Sequence, residues 1–317
     1  MFAQLSIIGL LAFIFGYAVN RANTCATAAI KDLVYNRRPH RMIALGVSAA
    51  WAAAVLIPGT WLFPAHFFRP APVPFVHAIL GGALFGYGAY INRACSFGTL
   101  YHLTSGDLNF LGALFGMFAG IFAALRLGFD APAALPTNPE KTAVLQVLLY
   151  AIAIVAILLS FFNEHDEGNR RLRSFGSNTV HAVAVGMTGA ILYAAFGRWT
   201  YATLISDGAH LAAGSLRIGA IETMLTAILS AIGGGIAASI GSGGFLLRSF
   251  RPRAFSQHFA GGIFLGIGSL LIGGGNDFLL VYGAPSGSSF AFIALAAMTA
   301  TLLVIFCLEK HLRADRH

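Results

Sequence analysis

The chain reads GGALFGYG at residues 81–88 and GGIFLGIG at residues 261–268. The two runs share their glycine spacing and lie 180 residues apart. Each is followed by a polar stretch and then by another apolar segment. Small residues at such spacing let helix backbones approach closely, which is typical of helices packed inside a membrane. The pattern therefore predicts two equivalent helices in two related halves of one membrane domain.

The composition indicates a membrane protein. Of the 317 residues, 57% are hydrophobic and only 10% are charged, a balance that argues against a soluble globular domain of this size. Apolar runs of about 20 residues, the length that crosses a bilayer, recur along the whole chain. We therefore predict an all-α, polytopic membrane protein that forms a single membrane domain over residues 1–317. It is expected to have about nine transmembrane helices plus short broken or re-entrant helices. The predicted spans are Leu5–Val19, Met42–Phe63, Phe75–Ile91, Leu108–Leu125, Ala143–Phe162, Thr179–Phe196, Ile218–Ile240, Phe259–Ile272 and Phe290–Leu308.

The basic residues predict how the chain crosses the membrane. With nine spans, one side of the membrane holds 15 of the 20 lysine and arginine residues, and the positive-inside rule makes that side the cytoplasm. The N-terminus is then outside and the C-terminus cytoplasmic, in a bacterial inner membrane. These loops and anionic lipid headgroups account for the net charge of +8, so no nucleic-acid partner is expected. The other side keeps Arg69, Arg126, Lys141, Arg198 and Arg217.

The two glycine runs also predict an inverted repeat. They fall in the third and eighth spans, so an odd number of crossings separates them and they run in opposite directions. The halves are roughly residues 1–127 and 179–308, joined by the span at residues 143–162. Several transporter folds have this organisation, with the substrate held near the midplane where paired helices are interrupted. The pattern therefore favours a transporter.

The first, third and eighth spans are short and run into polar or glycine-rich sequence, which is typical of broken helices. Residues 16–25 read GYAVNRANTC and residues 92–102 read NRACSFGTLYH, so Cys25 and Cys95 each follow a polar break. Backbone that leaves a helix at membrane depth has to face protein or a water-filled path. The N-terminus of the helix that follows attracts anions. The two cysteines are therefore candidates for the lining of an anion path.

Arg21 and Arg93 precede the two cysteines by four and two residues. A fixed cation near a free thiol suits a sulfur oxyanion, because the charged oxygens of the anion bind arginine. Other interpretations stay open at this point. Buried cysteine is often a packing residue, and Cys307, which has no polar neighbours in the last span, is best explained that way.

Two other functional hypotheses are compatible with the same residues. A membrane enzyme that forms a persulfide on Cys95 is one, since a thiol beside cations is nucleophilic. No general base stands close to either cysteine in the sequence, however. A membrane scaffold without transport is the other, but a scaffold has little reason to keep polar breaks at membrane depth.

The sequence resembles the YeeE/YedE family of membrane proteins, whose characterised members take up thiosulfate. The resemblance covers most of the chain and implies a permease, not an enzyme, with a narrow central path lined by cysteines. Thiosulfate would pass between the thiols by hydrogen bonds without covalent chemistry, and neither a cofactor nor ATP is implied. The resemblance rests on FGYxxNRxxxC at residues 15–25, ACSFGTL at 94–100, SGDL at 105–108, LY at 192–193, WTY at 199–201 and the second glycine run ending at Asn276.

One position departs from the family pattern. The family's usual third cysteine lies in a GCN motif of the second repeat, and an offset of 180 residues from Cys95 leads to Gly275, within GGGND at residues 273–277. Either two thiols suffice and the backbone N–H groups of Gly274 and Gly275 take over, or the substrate and the rate differ from the family norm.

We therefore predict a path for thiosulfate, or a related small sulfur-containing anion, with Cys95 as the central relay thiol and Cys25 as the next. Glu222, at the start of the seventh span, either reaches the interface or carries protons. The loop that contains EHDE at residues 164–167 is most simply solvated, with docking of a cytoplasmic sulfur-carrier protein as the alternative. The other residues predicted to line the path are Arg21, Asn92, Arg93, Ser96, Gly275 and Asn276.

Overall fold

The computed structural model describes residues 2–22, 24–63, 73–129, 139–165, 170–214 and 221–314, and the regular structure within these ranges is helical. The helices are α1 (Phe2–Ala22), α2 (Ala26–Asn36), α3 (His40–Leu62), α4 (Phe75–Asn92), α5 (Ser96–Thr104), α6 (Leu111–Arg126), α7 (Pro139–His165), α8 (Arg170–Phe196), α9 (Tyr201–Ala213), α10 (Ile221–Gly241), α11 (Pro252–Ile272), α12 (Asn276–Phe278) and α13 (Ser289–Ala314). A 3₁₀ turn, Leu108–Phe110, precedes α6, and a π-helical turn, Leu279–Gly283, continues α12.

The nine predicted apolar segments fall on helices, although residues 218–220 lie outside the described ranges. Within those ranges, seven helical stretches are long and apolar enough to cross a membrane. Large apolar side chains such as Leu10, Phe115 and Leu229 are exposed on the surface, as expected where a protein faces lipid. The chain is therefore a multi-pass membrane protein. The count of nine is not confirmed, because α4, with four glycines in 18 residues, and α7, with an apolar stretch at Ala143–Leu158, are not among the seven.

The two glycine runs pack directly against each other. Gly88 of α4 lies against Gly261 of α11, whereas Gly81 lies against Gly268. Residue numbers increase along α4 in the direction in which they decrease along α11, so the two helices are antiparallel. A Cβ added at Gly88 would lie 2.6 Å from the backbone nitrogen of Leu265 and 2.7 Å from the carbonyl oxygen of Gly261. Glycine is needed here because the two backbones touch.

A further helix packs in parallel on each member of this pair. α6 runs along α11, with Gly116 against Phe259, and α13 runs along α4, with Gly82 against Ala294. Contacts one turn further along each helix continue in the same order. Two outer pairs, α1 with α10 and α3 with α8, complete the main packing of the bundle.

Four helices are interrupted and resume four or five residues later: α1 into α2, α4 into α5, α8 into α9, and α11 into α12. The residue before each new helix has extended backbone and makes no capping hydrogen bond with its side chain. Breaks in the first, third and eighth predicted spans are thereby confirmed. The break after α8 is not predicted from the sequence, because it carries neither a cysteine nor a glycine run. The four residues that directly precede the new helices are Cys25, Cys95, Thr200 and Gly275.

The break after α4 turns at Arg93, which has a left-handed φ of 60°. This conformation is unfavourable for a residue with a Cβ, and the side chain of Asn92 supports it. Asn92 is fully buried, and its Nδ2 donates hydrogen bonds to the carbonyl oxygen of Ala94 at 2.8 Å and to Oγ1 of Thr99 at 3.0 Å. Its Oδ1 lies 2.9 Å from Nδ1 of His258 on α11. The break is therefore a fixed structure rather than a loose loop.

The linker between α10 and α11 is tied to the end of α5. The backbone N–H groups of Leu246 and Arg248 donate to the carbonyl oxygens of Ser105 and Gly106 at 3.1 and 3.0 Å. Arg248 also pairs with Asp107 at 3.2 Å. This end of α5 is therefore held by the second half of the chain.

Candidate functional site

The two cysteines predicted to lie on the path meet inside the bundle. Cys25 is 5% exposed and Cys95 is 0% exposed. The thiol of Cys95 donates to Sγ of Cys25 at 3.7 Å, and the backbone N–H of Ala26 donates to Sγ of Cys95 at 3.3 Å. A Cβ at Gly98 would lie 2.5 Å from Sγ of Cys25, so the glycine makes room for this thiol beside α5. The two breaks thereby place two free thiols in contact.

The N-termini of two half-helices accompany the thiols. α2 begins directly after Cys25 and α5 directly after Cys95. The first backbone N–H groups of a helix have no partner within the helix, and the helix dipole is positive at this end. Both effects favour a negatively charged solute near the two sulfur atoms.

Residues of the second half come to the same place through α12. The backbone N–H of Ser96 donates to Oδ1 of Asn276 at 3.0 Å, so a side chain 180 residues away caps the start of α5. Tyr201 Oη donates to the carbonyl oxygen of Ser96 at 2.9 Å. Asp277 is 3% exposed, and its Oδ2 accepts a hydrogen bond from Tyr193 Oη at 3.4 Å. The thiol pair is thus continuous with a buried group of hydroxyls and one carboxyl.

A cavity of about 200 Å³ lies beside these groups. Most of its wall is apolar, with Phe15 and Trp199 among the larger side chains, and these two rings contact each other edge to face at 5.0 Å. An apolar wall with a few convergent polar groups is typical of a site for a small solute. The polar residues that line the cavity are Ser96, Thr200, Tyr201 and Asp277.

Buried polar atoms without a hydrogen-bond partner concentrate at the breaks. Nine such side-chain atoms occur among the described residues, and six of them lie within two residues of a residue that directly precedes a new helix. Buried polar groups are ordinarily paired, so this concentration makes the breaks the candidate place for a polar solute to bind. The six atoms are Thr24 Oγ1, Thr27 Oγ1, Ser96 Oγ, Arg198 Nε, Trp199 Nε1 and Asp277 Oδ1.

The structure brings together five of the eight residues predicted for the path: Cys25, Cys95, Ser96, Gly275 and Asn276. The other three lie differently. Asn92 uses its side-chain amide to hold the break after α4. Arg93 is exposed, outside the buried group, and Arg21 is half-buried in the last turn of α1.

Two further predictions are addressed by the structure, and a third is not. The N–H of Gly274 donates to the carbonyl oxygen of Ser269 at 2.9 Å, so this group is already used to end α11, which weighs against its binding an anion. Glu222 is exposed in the first turn of α10, which favours the interfacial interpretation over a buried proton site. The side chains of the loop at residues 164–167 lie outside the described residues, so its docking role stays a prediction.

The sequence interpretation does not identify Asp277, Thr200 or Tyr201 as site residues. An ionisable residue inside an apolar stretch is a functional candidate, and this signal is present at Asp277. Thr200 and Tyr201 carry no such signal, since the break that positions them is itself not predicted.

A helical bundle with interrupted helices whose polar ends meet in its interior has the architecture of a membrane transport protein. The family described as sulphur transport matches residues 21–304. The chain belongs to this sulphur-transport family, which confirms the resemblance to the YeeE/YedE membrane proteins. No curated protein matches the chain in sequence.

Proposed function

We propose that this protein is an inner-membrane permease that takes up thiosulfate or a related small sulfur-containing anion. The observation that carries the proposal is the contact of the Cys25 and Cys95 thiols, 3.7 Å apart, at the N-termini of two half-helices. Both thiols are buried within a multi-pass bundle of the sulphur-transport family. The anion passes from one thiol to the next without forming a covalent bond.

Thiols suit such a path because they bind weakly. The S–H group is a weak donor and sulfur a weak acceptor, and conduction needs sites that admit an ion without retaining it. The N-termini of α2 and α5 provide the favourable potential for an anion. The hydroxyls of Thr24, Thr27 and Ser96, which have no partner among the described residues, supply further donors along the same path.

The path lies between two halves that form an inverted repeat. The antiparallel packing of α4 on α11 supports this organisation, as do the parallel pairs α11 with α6 and α4 with α13. The pairing of Ser96 with Asn276, 180 residues apart, supports it at the level of single residues. With nine crossings the N-terminus lies outside and the C-terminus in the cytoplasm.

A cytoplasmic sulfur-carrier protein is the expected acceptor of the imported sulfur. The alternative of a membrane enzyme that forms a persulfide is not favoured, because the family is described by transport.

The proposal is tested by uptake of thiosulfate labelled at its outer sulfur, in cells that lack their own sulfate and thiosulfate importers. We expect label to enter with the intact protein and not with Cys95→Ala. Cys307→Ala is the matched control, since this cysteine is exposed and should leave uptake unchanged. The amount of each variant in the membrane is measured by immunoblot. Full uptake by Cys95→Ala would reject the thiol path.

A further inference from the structure

We infer that Asp277 is a proton-binding site, and that a proton carried on this carboxyl enters together with the anion. The inference deepens the proposed function and rests on it. It is motivated by a buried carboxyl in the wall of the cavity, close to the thiol pair but not part of it. It assigns proton coupling to a residue that the thiol path does not use.

Within the part of the chain that the structure describes, no cation pairs with a negative charge on Asp277. It is 3% exposed, and no lysine or arginine among the described residues forms an ion pair with it. An ionised carboxylate buried without a cation is strongly unfavourable, so such a group is normally neutral. Burial without a paired cation therefore favours the protonated form of Asp277.

Hydroxyl groups surround the Asp277 carboxyl. Tyr193 Oη donates to Oδ2, while Oδ1 has no partner among the described residues. The hydroxyls of Thr200 and Ser96 lie near the carboxyl, and Ser96 Oγ also lacks a partner. A protonated Oδ1 is a hydrogen-bond donor, so together with Ser96 it forms a pair of donors for an anion in the cavity.

Gly275 makes this pair possible. A Cβ added at Gly275 would overlap Oδ1 of Asp277 and lie 2.6 Å from Oγ of Ser96. Because Gly275 has no side chain, the carboxyl of Asp277 and the hydroxyl of Ser96 both reach this position, where the family pattern has a cysteine. At this position, the hydrogen-bond donors facing the path are a carboxylic acid and a hydroxyl instead of a thiol.

Among the described residues, the ionisable side chains that face Asp277 are Tyr193 from α8 and Tyr201 from α9. The buried faces of α3 and α13 present no ionisable side chain among the described residues. Arg198, which influences Tyr193, lies 3.9 Å from Asp207 and pairs with that residue.

Proton binding also removes an electrostatic conflict. An ionised Asp277 would repel an anion in the same cavity, and this repulsion is strong where water is excluded. The neutral acid instead donates a hydrogen bond to the anion. When the anion leaves toward the cytoplasm, the O–H bond of Asp277 breaks and the proton passes to cytoplasmic water. A proton from the outer side then restores the acid, so one proton moves inward in each cycle.

The first test uses purified protein in liposomes, with the membrane potential clamped by potassium and valinomycin. Labelled thiosulfate uptake is measured with and without an inward proton gradient. We expect the gradient to accelerate uptake by the intact protein at least three-fold, and to have no effect on Asp277→Asn, which keeps the hydrogen-bonding shape but binds no proton. Asp32→Asn is the control, since Asp32 pairs with Arg41 at 3.2 Å near the surface. A gradient response that is absent from the intact protein, or present in Asp277→Asn, would overturn the inference.

The second test does not depend on transport. Infrared spectroscopy of the purified protein at neutral pH should show the C=O stretching band of a protonated carboxylic acid. The band should disappear in Asp277→Asn and persist in Asp32→Asn. If thiosulfate is not taken up but the band is present, thiosulfate is rejected as the substrate and the proton site is supported. If the band is absent, the proton site is rejected whatever the uptake shows.

Discussion

The two halves of the molecule have the same interrupted helices but different chemistry at the interruptions. In the first half the new helices begin after Cys25 and Cys95, whose thiols are in contact. In the second half they begin after Thr200 and Gly275, and the nearest reactive group is the carboxyl of Asp277. All four positions share an extended backbone without a side-chain cap. The backbone is therefore alike at the four positions, and the side chains beside it differ.

This difference indicates a division of roles. Thiols are weak, polarizable hydrogen-bonding groups that suit the sulfur end of an anion. Hydroxyls and a carboxylic acid are stronger donors that suit its oxygen atoms. A substrate with both kinds of end, such as thiosulfate, would be matched by the two halves together.

The largest effect is expected from removing the side chain that precedes α2, compared with the one that precedes α9. Cys25→Ala should lower thiosulfate uptake roughly ten- to a hundred-fold, the loss expected for one hydrogen bond to a charged solute. Thr200→Ala should lower uptake only about two- to ten-fold, because the hydroxyl of Thr203 lies 3.4 Å from that of Thr200 and replaces part of the lost hydrogen bond. Initial rates of labelled uptake, corrected for protein amount, measure both, and equal losses would mean that the halves do not differ in role.

A new thiol in the second half should not improve transport. Gly275→Cys places a Cβ on the space of Asp277 Oδ1, and overpacking of this kind costs about 1–3 kcal/mol. We expect uptake to fall roughly ten-fold, and Gly275→Ala to fall as far because the volume and not the thiol is responsible. Uptake that rises in Gly275→Cys and falls in Gly275→Ala would show that a third thiol at this position assists transport.

A smaller loss is expected when a thiol of the first half is displaced rather than removed. An added methyl at Gly98 would lie 2.5 Å from Sγ of Cys25, so Gly98→Ala pushes the thiol out of line and should lower uptake about three- to ten-fold. Gly46→Ala is the control, because a Cβ at Gly46 meets nothing within 4 Å. Uptake is again the measurement. Equal uptake by Gly98→Ala and Gly46→Ala would show that the position of the Cys25 thiol does not affect transport.

The smallest effect is expected at an exposed cation of the first half. Arg93 lies outside the buried group, so Arg93→Gln should change uptake by no more than about two-fold, as for an ordinary surface substitution. The measurement is the thiosulfate concentration that gives half-maximal uptake. A tenfold higher half-maximal concentration would show that the charge of Arg93 assists binding of the anion. Arg93 would then belong to the path together with the thiols.

The sequence predicts much of this arrangement because the responsible residues are conspicuous. The glycine runs at residues 81–88 and 261–268 have to be small for α4 and α11 to touch, and their spacing is visible without a structure. Cys25 and Cys95 stand beside polar residues in apolar surroundings, so their breaks are also visible. These are strong local constraints, and they identify three of the four interruptions.

The remaining features depend on contacts between distant segments. The break before Thr200 contains a single glycine, Gly197, with a φ of 70°, and the WTY motif at residues 199–201 does not by itself indicate a break. The sequence places Arg93 two residues before Cys95, yet the left-handed turn at Arg93 separates an exposed side chain from a buried one. Asn92, predicted to line the path, is instead occupied by Ala94, Thr99 and His258. Side chains that are close in the sequence can therefore point in different directions when a turn lies between them.

The contact of α4 with α11 also has a consequence for how the protein is made. The last residue of α4 is synthesised 180 residues before the last residue of α11, which at 5–20 residues per second corresponds to roughly 10–40 seconds. Throughout that interval the glycine surface of α4 is in the membrane or the translocation machinery without the helix that covers it. Biogenesis of the transport path is therefore a late event. A nascent chain released before α11 is complete leaves the thiol half without its antiparallel partner, and we expect cellular quality control to recognise it as unfinished.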